Sequence, residues 1–76
     1  MIDFPIIKKG IYHHNKTGNL YEVIGIALQT ESTEPLVIYR PVQPGQYELF
    51  ARPYAMFIEQ VAINGQNVPR FEKIND

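Results

Sequence analysis

Seventy-six residues, 45% of them hydrophobic, make one small domain with its own core and leave no room for a second. The absence of cysteine excludes disulfides and thiolate metal sites. A charged share of 20% and a net charge of −1 exclude a disordered chain and a strong polyanion binder.

The opening stretch MIDFPIIKKG has an acid at Asp3 and a proline at Pro5 in place of a basic head and a long apolar run, so it does not read as a signal peptide. No apolar run approaches the roughly 20 residues of a membrane span. The expectation is a soluble cytoplasmic protein with no membrane contact.

GIYHH, from Gly10, begins the first candidate strand, and HNKTGN, residues 14–19, is turn chemistry throughout, with Asn15, Gly18 and Asn19 all tolerant of positive φ. His13 and His14 are neighbours on a strand and point to opposite faces, which makes them a poor pair for one metal ion. The residues that share a face are Tyr12 and His14. No metal or cofactor is expected, and a histidine at a strand end is first a hydrogen-bonding group for its turn.

LYEVIGIALQ, residues 20–29, is apolar at even positions (Leu20, Ile24, Ile26, Leu28) and also at odd ones (Tyr21, Val23, Gly25, Ala27). Apolar character on both faces with a glycine in the middle predicts a strand that bends and serves two sides of a closing sheet. TESTEP then supplies a polar loop. Its Glu31 and Glu34 lack the burial that acid–base chemistry needs, and Ser32 and Thr33 have no positioned base.

PLVIYR, residues 35–40, is the next strand, and YELFA, residues 47–51, the one after, with PVQPGQ as the hairpin between them. Arg40 falls near that hairpin's tip and Arg52 at its other end, where an ion pair bracing the Glu31–Glu34 loop is expected ahead of the alternative, anion binding. RPYAMF breaks the strand with a helical turn near residues 53–56 that brings Met56 and Phe57 onto the core. IEQVAI resumes as strand, and Asn64-Gly65 predicts a two-residue turn folding NVPRF back on it. Most of Phe4, Phe50, Phe57 and Phe71 belong in the core, and several of the five tyrosines belong at a surface or rim. Lys8, Lys9 and Lys16 would share one end. The fold class is therefore all-β: a small SH3-like antiparallel barrel, one domain over residues 1–76, with a C-terminal hairpin added.

Taken together, the spaced motifs resemble a family of small bacterial proteins of unknown function. They read G-x-Y-x-H (Gly10, Tyr12, His14), G-x-x-Y-E-V (Gly18, Tyr21, Glu22, Val23), E-[ST]-x-E (Glu31, Ser32, Glu34), L-V-x-Y-R (Leu36, Val37, Tyr39, Arg40) and R-P-x-x-M-F (Arg52, Pro53, Met56, Phe57). The chain departs from that family at Leu28 and Gln29, where members often carry a basic residue and a histidine, and at Phe50, where tryptophan is common. The resemblance implies an SH3-like barrel and a bacterial setting, and makes Tyr12 and His14 the important face of the first strand. It brings no activity, substrate or cofactor.

The leading functional expectation is a non-enzymatic binding module for a protein, peptide or small polar ligand, docking over Tyr12, His14, Tyr21, Glu31, Glu34, Arg52 and Tyr54. The alternative is an RNA- or nucleotide-contacting barrel using Lys8, Lys9, Lys16 and tyrosine stacking. A hydrolase joining His14 to Glu31 or Glu34 ranks third. Either a monomer or a homodimer formed through an open sheet edge is compatible with the sequence.

Overall fold

The computed structural model describes residues 5–43 and 45–74. Its elements in chain order are β1 (Gly10–His14), β2 (Leu20–Gln29), β3 (Glu34–Pro41), β4 (Phe50–Pro53), α1 (Tyr54–Phe57), β5 (Gln60–Ile63), β6 (Gln66–Pro69) and β7 (Phe71–Lys73). Five strands form one antiparallel sheet in the order β4-β3-β2-β1-β7, while β5 and β6 form a separate two-stranded hairpin. The last strand returns beside the first, as an SH3-like fold requires. The fold is all-β.

Register explains how β2 serves two sides. Val23 pairs with Tyr39 and Gly25 with Ile38, so Ile24 is an extra residue in a bulge. An extra residue reverses the alternation of faces. Before the bulge Tyr21 and Val23 point inward; after it Ile26 does, opposite the fully buried Val37. The double-sided apolar pattern is thus one inward face interrupted once.

The curl brings the two sheet edges together without a shared backbone ladder. Phe71 on β7 lies 5.4 Å from Tyr39 on β3 and stacks on Phe57 of α1 at 4.1 Å, and the Arg52 guanidinium of β4 sits 5.6 Å over its ring. Side chains therefore close what main-chain hydrogen bonds leave open. The core is Tyr12, Val23, Val37, Tyr39, Phe57 and Phe71, with Ile7, Tyr21, Ile26, Phe50 and Tyr54 packed against it.

Several expectations need correction. The fourth strand begins at Phe50, and Tyr47 and Leu49 are exposed parts of a longer connector; Pro44, in its middle, lies outside the described residues. Alternation without a pairing partner does not make a strand. The helical turn runs over 54–57 and buries only Phe57, since one turn cannot aim adjacent residues the same way and Met56 faces solvent. NVPRF divides at Arg70: β6 pairs with β5, as the Asn64-Gly65 turn dictates (φ 51 and 78), and β7 crosses to β1. Lys8 and Lys9 precede β1 and Lys16 follows it, so they flank opposite ends of the strand and share no patch. Phe4 lies outside the described residues.

Candidate binding cleft and aromatic wall

Alternation along β1 turns Tyr12 and His14 inward. The His14 main chain closes the β1–β2 turn, its N–H donating to the Asn19 carbonyl (2.8 Å) and its carbonyl accepting from Gly18 N–H (2.7 Å). Its ring lies 4.7 Å from Phe71 and 6.3 Å from Tyr21, and Nδ1 is 2.8 Å from the Thr17 hydroxyl. Burial lowers the His14 pKa below the usual histidine value, and the positive charges of Arg52, Arg70, His13 and Lys16 push the same way. His14 is therefore a neutral ring at pH 7, built into a turn. On the opposite face, His13 Nδ1 is 2.7 Å from Asn15 Oδ1; the Asn15 amide nitrogen donates to the Pro69 carbonyl, tying the turn to β6.

The Tyr12 hydroxyl donates to the Lys8 carbonyl at 2.8 Å. Burial raises its pKa above the usual tyrosine value, reinforced by the neighbouring Tyr54 phenol, so it serves as a structural donor. Tyr54 is half-buried at the start of α1, against the core. Tyr21 meets Tyr39 at 5.3 Å, Phe50 at 6.0 Å and Phe71 at 5.9 Å, all edge-on or tilted, the geometry aromatic quadrupoles favour. With Tyr47 extending the row through Phe50 at 6.4 Å, these rings form an aromatic wall.

Arg52 does not brace the Glu31–Glu34 loop. It stands opposite Val37 on the inner face, and its Nε–H donates to the Tyr39 hydroxyl at 3.3 Å. The register that turns Val37 inward turns Arg52 inward with it. Glu31 and Glu34 sit in or beside the β2–β3 turn, exposed, among local partners: Thr30 donates to Glu31, and Gln29 Oε1 accepts from the Glu31 and Ser32 N–H groups. The length of β2, about 30 Å at 3.3 Å per residue, separates them from His14. Tyr12, His14, Tyr21, Arg52 and Tyr54 thus border one aromatic core, and Glu31 and Glu34 do not join them. The His14–glutamate pair that a hydrolase would need is not formed.

Apart from Tyr21, the residues at the mouth of this region were not singled out as site residues from the sequence. A cleft of about 460 Å³ opens between the β1–β2 turn and the chain leaving β3, lined by Gly18, Asn19, Leu20, Tyr21, Pro41, Val42 and Gln43. Leu20 and Val42 are 39% and 49% exposed there, and a backbone hydrogen bond from Val42 N–H to the Leu20 carbonyl (3.0 Å) holds the two segments side by side. A shallower recess of about 330 Å³ adjoins it on the outer face, where the Arg40–Glu22 pair (2.7 Å) crosses from β3 to β2 beside Ile11. The signal in the sequence was Val42, an apolar residue among turn formers. No cluster of three or more His, Asp or Glu side chains suited to a metal ion occurs among the described residues, and no helix among them is long and apolar enough to cross a membrane.

The family model described as "Protein of unknown function (DUF1653)" matches residues 10–73. Among solved structures, the chain is similar to the crystal structure of a DUF1653 protein from Bordetella bronchiseptica, with 26% identity and a TM-score of 0.81 over 90% of this chain and 87% of that one. No curated protein matches the chain.

Proposed function

This chain belongs to the DUF1653 family, and for it we propose a role as a non-enzymatic binding module that takes a peptide segment of a partner protein in the cleft beside Tyr21. One observation carries this reading: the exposed apolar side chains Leu20 and Val42 flank a concave site whose lining includes Tyr21, the ring through which the cleft adjoins the aromatic wall. Interface cores favour aromatic anchors within a polar rim, and here Asn19 and Gln43 supply polar groups at the margin. The RNA-contacting alternative draws less support, because the lysines it relies on lie at opposite ends of β1.

The test is selection of a random peptide library on the full chain, with Leu20→Lys and Val42→Asp as controls. Leu20 and Val42 are 39% and 49% exposed and lie outside the core, so the variants should fold, with an unfolding temperature only slightly below that of the wild type. Selected peptides should bind the wild type and lose about tenfold or more in affinity on either variant, as expected for an anchor contact. Unchanged affinity on both variants would place binding elsewhere and refute the cleft. Affinity falling steeply with added salt for oligonucleotides, with no peptide selected, would favour the RNA-contacting reading.

A further inference from the structure

The three arginines of the chain are not in equivalent surroundings. Arg40 pairs with Glu22 and Arg70 with Glu59. Arg52 has no carboxylate partner among the described residues. Its Nε–H is held by the Tyr39 hydroxyl and its guanidinium lies over Phe71, 5.6 Å from the ring centroid. A guanidinium held over a ring and anchored through Nε presents its two terminal nitrogens edge-on, the fork that a carboxylate fills with two parallel hydrogen bonds. The neutral His14 ring rests on the same Phe71 and offers no negative charge.

Building on the cleft reading above, we infer that Arg52 is a carboxylate-binding subsite at the far end of the docking surface, so that the partner segment carries an Asp or Glu about four residues from the apolar side chain seated beside Tyr21. The spacing follows from register. Tyr21 pairs with Pro41, Phe50 with Tyr39 and Arg52 with Val37, so the backbone positions of Tyr21 and Arg52 are offset by four residues along β3, with Phe50 at an intermediate register. That offset along the strand direction is about 13 Å, comparable to four residues of an extended peptide. Charge complementarity selects the occupant: one arginine without a carboxylate partner among the described residues matches one carboxylate, whereas a nucleic-acid backbone calls for several cations in a row, and the lysines here are dispersed.

Two synthetic pools of N-acetylated, C-amidated octapeptides test this. Both carry Leu or Phe at one fixed position; four residues on, one pool carries Asp or Glu and the other Asn or Gln. Titrated into the isotope-labelled full chain, the acidic pool should shift the Arg52 Nε–H and Phe50 resonances at about tenfold lower concentration than the amide pool, as a charge-assisted hydrogen-bond pair predicts. Arg52→Lys, which keeps the charge and loses the fork, should erase most of that difference while both pools still shift Leu20 and Val42. Equal response of the wild type to the two pools would overturn the carboxylate subsite and leave the cleft standing. Failure of both pools to move Leu20 or Val42 would overturn the cleft itself, and the subsite with it. Displacement of the acidic pool by inorganic phosphate, but not by acetate at equal ionic strength, would overturn the carboxylate assignment in favour of a phosphate group.

Discussion

Strand β2 begins and ends in turns that share a skeleton. In the first, Gly18 N–H donates to the His14 carbonyl four residues back; in the second, Thr33 N–H donates to the Gln29 carbonyl, again four back, and both bonds are 2.7 Å. The residue closing each turn takes positive φ, 83° at Gly18 and 58° at Thr33. The His14 and Gln29 side chains each satisfy groups within their own turn. The difference lies in what stands behind the turn. His14 points inward onto Phe71 and Tyr21, so the first turn is a lip of the core and borders the cleft; the second projects beyond the sheet with Glu31 and Glu34 exposed. Polar residues grouped on a turn make a site only where the fold gives them a wall.

Four measurements test this difference between the two turns. The largest effect falls on the wall: Phe71→Ala should lose about 3–5 kcal/mol, most of what a domain this small possesses, and read as an unfolded or near-unfolded chain in denaturant titration. A loss below about 1 kcal/mol would show that β7 is not what holds the lip in place. Next come the turn swaps. Gly18→Thr places a β-branched residue in the left-handed region and should cost about 1–2 kcal/mol, whereas Thr33→Gly relieves the same strain and should gain about 0.5–1 kcal/mol. Opposite signs in thermal unfolding would establish that the two turns are equivalent in backbone alone.

His14→Phe keeps the ring and removes the Thr17 hydrogen bond, costing about 1 kcal/mol at pH 7. It should also alter the pH profile. The folded-state pKa of His14 lies below its unfolded value, so the unfolded chain binds the extra proton first. The stability this contributes is present above the unfolded value, near 6.5, and is lost as pH falls through the folded one. Arg52, Arg70, His13 and Lys16 all oppose the added charge. Urea midpoints measured between pH 8 and pH 5 should decline more steeply for the wild type than for the variant; parallel curves would remove His14 from this account. The smallest effect belongs to the far turn, where Glu31→Gln with Glu34→Gln should stay within about 0.5 kcal/mol and leave peptide binding unchanged.

Much of this architecture was legible because it is written in local chemistry. The Asn64-Gly65 turn, the doubly apolar β2 with its glycine, and the face shared by Tyr12 and His14 all rest on positive-φ tolerance or period-two alternation. What the sequence concealed depends on register. Arg52 looked like a partner for Glu31 and Glu34 because the residues are near along a hairpin, yet pairing with Val37 turned it inward. The start of β4 was misplaced because Tyr47 and Leu49 carry strand-like residues without a neighbouring strand. The cleft escaped notice because Leu20 and Val42 are ordinary apolar residues until one backbone hydrogen bond sets their segments together.

The closure of β7 onto β1 has a consequence for how the chain folds. The four strands from β1 to β4 are sequential neighbours joined by connections of eight residues or fewer, but His14 must wait for Phe71, 57 residues later, to be paired. Drawing the ends of such a segment together costs on the order of 3–4 kcal/mol of chain entropy before any contact forms. A chain in which β1 to β4 have paired and β7 has not is an open four-strand meander. While it lasts, the aromatic wall is exposed and β1 presents an unpaired edge. Closure by β7 is then the step at which folding and strand exchange between copies compete, and the concentration dependence of refolding yield reads that competition directly.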